Sequence, residues 1–470
     1  MSRTRPAAVF ALSLLIWLGC SRPTEERVPD EEARGGERHG VAGYRSPALP
    51  ARLPRPAGGG WEAERLWSRA VDWEPVVAAD PFTADVYQAT TRYGAPECAT
   101  CPDPTIVVRH SADGGVTWSE DRYPSRRGRA LADPQLAVAG DGTLFAAYLK
   151  DFVPGVVLVT SRDHGRTWTE PVRAIGEGPP RWSDKPILVV SPDGRDVYLA
   201  FNAADSYVAS SHDGGATFAA AVRTNDDDRY WFHSAGAVGP DGTVWFAAAD
   251  YSRTYAGDSH VSVLRSVDGG ESWTTQRVDT AAEAPRCRWW AAGCYRGFLG
   301  PQAAIAADSV GRLVLAYNAG TRDGGPPDLW VRTSDDGEQW SARRRVSGGG
   351  PMVQHAFAAL AAGPLPGDFR LVWQDDRRTR RPRATNPDRR WNSWYRRSRD
   401  GGGRWGRRTR LSRGGGDPAA GSGYNDGRGF RFPYGDYLGL AVDANGRNHV
   451  IWGAGESYNG NGGTWYTRGR

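Results

Sequence analysis

The chain has 470 residues, 39% hydrophobic and 24% charged, with 60 glycines, 32 prolines, 20 tryptophans and 18 tyrosines. That apolar fraction excludes disorder throughout, and so many turn formers and large aromatics favour short strands over long helices. The net charge of +5 comes from 59 basic against 54 acidic residues, with Lys150 and Lys185 the only lysines, a near balance that carries no nucleic-acid signature.

In chain order, Arg3 and Arg5 precede an apolar run from Ala7 to Leu18 that is too short for a comfortable bilayer span, so residues 1–20 read as an export signal. The run ends Trp17-Leu18-Gly19-Cys20, which resembles a bacterial lipoprotein processing site and makes Cys20 the candidate lipidated residue. The expected location is the cell envelope, with secretion as the alternative, and membrane contact only through that N-terminal anchor. Residues 21–60 carry Pro, Gly, Arg and Glu with little apolar content, as a flexible tether would.

Four further cysteines form two local pairs, Cys98 with Cys101 and Cys287 with Cys294. An exported context favours oxidation of each pair, which is one of three connectivities. Zinc ligation is the competing reading, but neither pair has a histidine nearby. The Cys98-Ala-Thr-Cys101-Pro segment has a loop-like setting, unlike a redox motif that opens a helix after a strand.

A short motif recurs: Ser111-Ala-Asp113-Gly-Gly-Val-Thr117-Trp118, Ser161-Arg-Asp163-His-Gly-Arg-Thr167-Trp168, Ser211-His-Asp213-Gly-Gly-Ala-Thr217-Phe218, Ser266-Val-Asp268-Gly-Gly-Glu-Ser272-Trp273 and Ser398-Arg-Asp400-Gly-Gly-Gly-Arg404-Trp405. A sixth copy, Ser334-Asp-Asp336-Gly-Glu-Gln-Trp340, is one residue shorter. The pattern encodes a hairpin turn in which Asp accepts backbone N–H bonds, Gly supplies positive φ and the aromatic plugs between neighbouring sheets. It resembles the Asp-box of the sialidase superfamily, a structural motif that marks a propeller blade and carries no catalysis. A second pattern counts the blades: a strand of small residues, a Gly-containing turn and a bulkier strand recur over 75–89, 134–148, 186–201, 234–248, 302–317, 356–373 and 437–452. The fold expected is an all-β propeller over 61–470 with seven four-stranded blades. Six is the alternative, because the well-known sialidase catalytic domains have six. The last repeat ends without an outer strand, and residues 64–71 are expected to supply it, closing the ring and removing exposed edges.

In such a blade the Asp-box turn lies on the bottom face, so the inner-strand entrances and the loops joining second to third strands share the top. The entrance residues Glu74, Asp133, Asp184, His233, Gln302, His355 and Asp436 form a polar ring, read either as the mouth of a ligand site or as the lining a wet channel needs in any case. The basic insertion 376–390 contributes Asp376 and Arg377 to the same face. Arg forks there suit an anionic glycan carboxylate or sulfate.

The chain resembles the BNR-repeat branch of sialidase-like propellers over nearly its whole mature length. Sialidases use three Arg for the substrate carboxylate, a Tyr nucleophile assisted by Glu, and an Asp acid/base. A Tyr suits that chemistry because a carboxylate nucleophile would repel an anionic substrate. The Arg-Ile-Pro motif that introduces the first Arg is absent, and the corresponding region reads Ala70-Val-Asp-Trp-Glu74-Pro75-Val-Val. Catalytic candidates are Asp184, Asp376, Asp436 and Tyr437; Glu74, Asp133, His233, Gln302, His355 and Arg377 are candidates for substrate binding. The resemblance implies a glycoside hydrolase acting on sialylated or other acidic or complex glycans, such as an exo-alpha-sialidase. The alternatives are a non-catalytic glycan- or protein-binding propeller and a polysaccharide lyase. No haem, flavin or nucleotide motif is evident, a divalent cation held by channel residues such as His233 and His355 is left open, and a monomer with no nucleic-acid partner is expected.

Overall fold

The computed structural model describes residues 60–67, 71–94, 97–151, 155–174, 183–254, 256–285, 300–376, 390–412, 429–430, 432–433, 435, 437–455 and 462–470. Cys20, Arg377, Asp436, Cys287 and Cys294 lie outside them. Among the described residues there is no helix, and the strands form seven antiparallel sheets. Seven blades are therefore present, and the six-bladed alternative is set aside.

Each blade is a meander from the channel outward. Blade 2 is typical, with Leu131–Val138, Leu144–Lys150, Val156–Ser161 and Val172–Arg173 in order. Blade 3 begins at Asp184–Val190, blade 4 at Tyr230–Val238, blade 5 at Ala303–Ala307 and blade 6 at His355–Ala362. Blade 1 has three strands, Val71–Ala79, Val86–Tyr93 and Thr105–Ser111. In place of a fourth strand, the segment after its Asp-box forms one bridge between Val108 and Arg122, and Asp121 beside it is ion-paired to both Arg92 and Arg109. Cys98 and Cys101, in the loop between its second and third strands, are disulfide-bonded as local pairing implied.

Blade 7 consists of Gly439–Val442, Asn448–Gly455 and Gly462–Gly469, with Arg65–Leu66 as its outermost strand. Arg65 pairs with Tyr466 and Leu66 with Trp465, and the pairing extends through Glu62 N to Arg468 O at 2.9 Å and Trp67 N to Thr464 O at 2.8 Å. The chain start thus closes the ring as expected, over fewer residues, because Val71 already begins blade 1.

Second strands are the most buried elements; Leu144–Leu149 are buried throughout, as are all residues of Val244–Tyr251. Small inner-strand residues let the strands converge on the channel, whereas second strands carry Tyr148, Phe201, Phe246 and Trp373 into the seams between blades. Among the described residues the core is accordingly divided into seven apolar clusters, each spanning one pair of adjacent blades.

The Asp-boxes serve those seams. In each, the Ser hydroxyl donates to the Asp and accepts from a Gly N–H, as in Ser161 Oγ to Asp163 Oδ1 at 2.8 Å and Gly165 N to Ser161 Oγ at 2.8 Å. The box aromatic packs against the cluster shared with the preceding blade: Trp168 against blades 1 and 2, Phe218 against 2 and 3, Trp273 against 3 and 4. Glycine is required by that contact as well as by φ. A Cβ on Gly270, at φ +86°, would lie 2.1 Å from Ser210 Oγ of blade 3, and one on Gly115 would lie 2.0 Å from Tyr466 Oη of blade 7. Blade 7 has no box among its described residues, and Trp61 packs in its seam with blade 6, edge-on to Tyr395 at 4.8 Å.

Three outcomes follow for stability. Trp61→Ala leaves the last seam underfilled and is expected to cost about 3 kcal/mol in a denaturant titration. Gly270→Ala meets both a clash and a disfavoured φ and is expected to cost at least about 2 kcal/mol in the same assay. The box carboxylates supply an acid limb. The Thr167 hydroxyl and N–H hold Asp163 at about 2, and the Thr217 hydroxyl, against a desolvation cost, holds Asp213 at about 2. Because the folded pKa lies below the unfolded one, this contribution is complete above about pH 4 and is lost as pH falls toward 2. The Asp163→Asn, Asp213→Asn double variant should melt lower than the parent at pH 7, with a flatter decline between pH 4 and 2.

Candidate functional site at the top of the channel

The inner strands of blades 1, 2, 3 and 6 each break register near the top, two residues standing opposite one on the second strand. The extra pairs are Glu74-Pro75, Asp133-Pro134, Lys185-Pro186 and Phe357-Ala358. The first residue of each is left-handed, with φ +54° at Glu74, +54° at Asp133, +46° at Lys185 and +56° at Phe357. Such a bulge re-aims a side chain, and a non-glycine residue at positive φ costs on the order of 1–3 kcal/mol. In blade 4 a simpler shift falls between His233 and Ala235.

These bulges re-sort the expected ring. Glu74 and Asp133 share one structural position with Lys185, while Asp184 precedes it by one residue and His355 precedes Phe357 by two. Lys185 is therefore the residue that sequence reading passed over. Its signal was present in the repeat of Glu-Pro, Asp-Pro and Lys-Pro at one point of three successive blades.

Blades 1 to 3 bring several of these groups together. Thr91 Oγ1 donates to Glu74 Oε2 at 2.7 Å, and Asp133 N donates to the same oxygen at 3.1 Å, so one carboxylate pins two blades. Asp133 is buried and Glu74 half-buried. Asp184 is half-buried and accepts from Lys185 N at 3.0 Å. The Lys185 ammonium lies over two rings, 5.7 Å from the centroid of Tyr437 and 6.0 Å from that of Phe232. Tyr437 also packs on the blade 1–2 cluster, so it reaches from blade 7 over the groups of blades 1 to 3. Blades 1 and 2 thus carry a carboxylate pair at the position where blade 3 carries an ammonium that lies against the phenol ring of blade 7.

The remaining candidates are built into the walls. Gln302 Oε1 accepts from the bulge N–H of Phe357 at 3.1 Å, the same cross-blade pin that Glu74 makes to Asp133. His233 is buried with Nε2 2.9 Å from Ser206 Oγ, and burial pushes its pKa down to about 3, so the imidazole is neutral. His355 is buried with Nδ1 3.5 Å from Asp375 Oδ2, and Asp375 in turn accepts from Trp394 Nε1 at 2.7 Å. Asp376 is buried and accepts from Gln354 N at 2.7 Å, closing the base of its loop.

A family model described as BNR repeat-like domain matches residues 55–283. No curated protein matches the chain. Similar solved structures include a Hadza microbial sialidase, 15% identical over 79% of this chain and 74% of its own with a TM-score of 0.45. An ulvan lyase of polysaccharide lyase family PL25 is 13% identical over 86% and 94%, with a TM-score of 0.48. A protein of unknown function from Dyadobacter fermentans is 13% identical over 87% and 97%, with a TM-score of 0.47. At such identities these likenesses assign no reaction. The seven blades make this chain a β-propeller, in which residues 55–283 match the BNR repeat-like model and six turns carry the Asp-box pattern.

Proposed function

We propose that the protein is an exported glycoside hydrolase that takes an acidic or complex glycan, such as a sialylated one, at the top mouth of its channel. The observation that carries the reading is the set of bulges that give Glu74, Asp133 and Lys185 equivalent positions on three successive blades, with Lys185 beside the Tyr437 ring. The same bulge recurs at Phe357, so the strain belongs to the fold, and what distinguishes blades 1 to 3 is that this re-aimed position carries an ionisable side chain in each. Lys185, one of two lysines in an arginine-rich chain, offers a compact point charge to a glycan carboxylate or sulfate. Asp184 beside it and Asp133 at the equivalent position of the preceding blade are the acid and base candidates: one protonates the departing glycosidic oxygen while the other draws a proton from water or from the Tyr437 hydroxyl. Asp436 and Arg377 remain proposed members of the site, and Cys20 the proposed lipid anchor.

The test is product analysis by mass spectrometry after incubating the protein with sialylated, uronic-acid and neutral glycans, with and without chelator. Release of a hydrolysed sugar is expected, with Asp133→Asn lowering kcat by about 100-fold or more. Lys185→Met is expected to raise KM on acidic glycans and leave neutral ones unaffected. An unsaturated product would replace the hydrolase reading by a lyase. Retention of glycan without turnover, lost in Lys185→Met, would leave a binding propeller.

A further inference from the structure

The bottom face carries a second constellation, remote from the mouth. Asp85 lies in the turn between the first two strands of blade 1, His110 at the end of that blade's third strand, and His164 in the Asp-box of blade 2. Their ligand-type atoms all lie within 4.8 Å of one another, and no other group of three or more His, Cys, Asp or Glu does so among the described residues. Asp85 Oδ1 is the point of convergence, 2.5 Å from His110 Nε2 and 3.8 Å from His164 Nδ1. The two imidazoles are stacked at 4.6 Å, and the Tyr87 hydroxyl lies 2.7 Å from His164 Nδ1.

His164 stands where four other boxes have glycine. Gly114, Gly214, Gly269 and Gly401 adopt φ of +68°, +73°, +73° and +73° at that place, and His164 takes +61°. The chain accepts a disfavoured backbone in the one box that faces His110 and Asp85. The seam between blades 7 and 1 gives the contrast. There a single buried histidine, His449, satisfies both nitrogens internally, with Nδ1 2.8 Å from Tyr466 Oη and Nε2 3.1 Å from Asp443 Oδ2, and the facing box keeps its glycine. The blade 1–2 seam repeats that Tyr, His and Asp combination and adds a second imidazole that is 42% exposed, open to solvent on one side.

We propose that Asp85, His110 and His164 form a binding site for a divalent transition metal of the zinc class, which staples blade 1 to blade 2. Two imidazoles and one carboxylate suit zinc, whereas calcium and magnesium prefer all-oxygen sites. With metal–ligand bonds of about 2.0–2.1 Å, tetrahedral ligation sets ligand atoms about 3.3 Å apart, a value that the 2.5 and 3.8 Å distances from Asp85 Oδ1 bracket. The Tyr87 hydroxyl or a water completes the shell, and Thr83 Oγ1, which donates to Asp85 Oδ2 at 2.6 Å, orients the carboxylate.

The decisive variant is His164→Gly, which restores the residue four sister boxes use and so keeps the fold. Zinc is titrated into the metal-stripped full chain and into this variant, with heat of binding and thermal midpoint as readouts and magnesium as control. The parent is expected to bind one zinc more than the variant and to melt several degrees higher with zinc, a gain absent with magnesium and absent in the variant. Equal zinc affinity and equal stabilisation in the two proteins, or no zinc response in the parent, would overturn the assignment. Neither readout depends on glycan turnover.

Discussion

The architecture depends on the contact between one blade's Asp-box and the blade before it. An isolated four-stranded sheet with two apolar faces cannot persist in water, and each seam buries one face of each neighbour. The box supplies the outer edge of that seam, its Asp and Ser holding a tight turn while glycines allow backbone to rest directly on the preceding blade's side chains. Six of the seven seams use this device, and the ring is stable only when the remaining seam, between blades 6 and 7, also closes. Trp61, the Arg65–Leu66 strand and the Glu62 pair with Arg468 at 2.7 Å provide that closure from the opposite end of the chain.

Closure of the ring also explains where strain is tolerated. Seven inner strands converge on one axis, so their top ends are held by neighbours on both sides. Cross-blade bonds from Glu74 to the bulge at Asp133, and from Gln302 to the bulge at Phe357, fasten the irregular backbone in place. A bulge that would fray at the edge of an open sheet becomes a rigid mount here. The same acceptor is therefore both a wall element and a neighbour of the candidate site, a dual role that a rigid site on strands favours.

The two faces divide their work by chemistry. The top carries the bulges, the lysine and the aromatic of blade 7, with loops of variable length around them. The bottom repeats a structural turn six times, and the histidine that replaces a left-handed glycine in one of them coincides with a Tyr, His and Asp grouping in the blade it touches. Departure from a repeat is informative because the repeat itself defines what packing alone demands.

Much of this was legible in the amino-acid sequence. The Asp-box spacing, the alternation of small inner and bulky second strands, and the unpaired last repeat determined the all-β class, the seven blades and the ring closed by the chain start. Those features are local or periodic, and a sequence displays them directly. The site was only partly legible. Tyr437, Glu74 and Asp133 were candidates from the sequence, but one extra residue in a bulge shifts the side-chain register, so Lys185 and not Asp184 shares the position of Glu74 and Asp133. Likewise no spacing rule joins Asp85, His110 and His164, which lie 25 and 54 residues apart in sequence. Only the packing of blade 2's box against blade 1 brings them together, because seam contacts depend on the curvature of the whole ring and not on any segment of it.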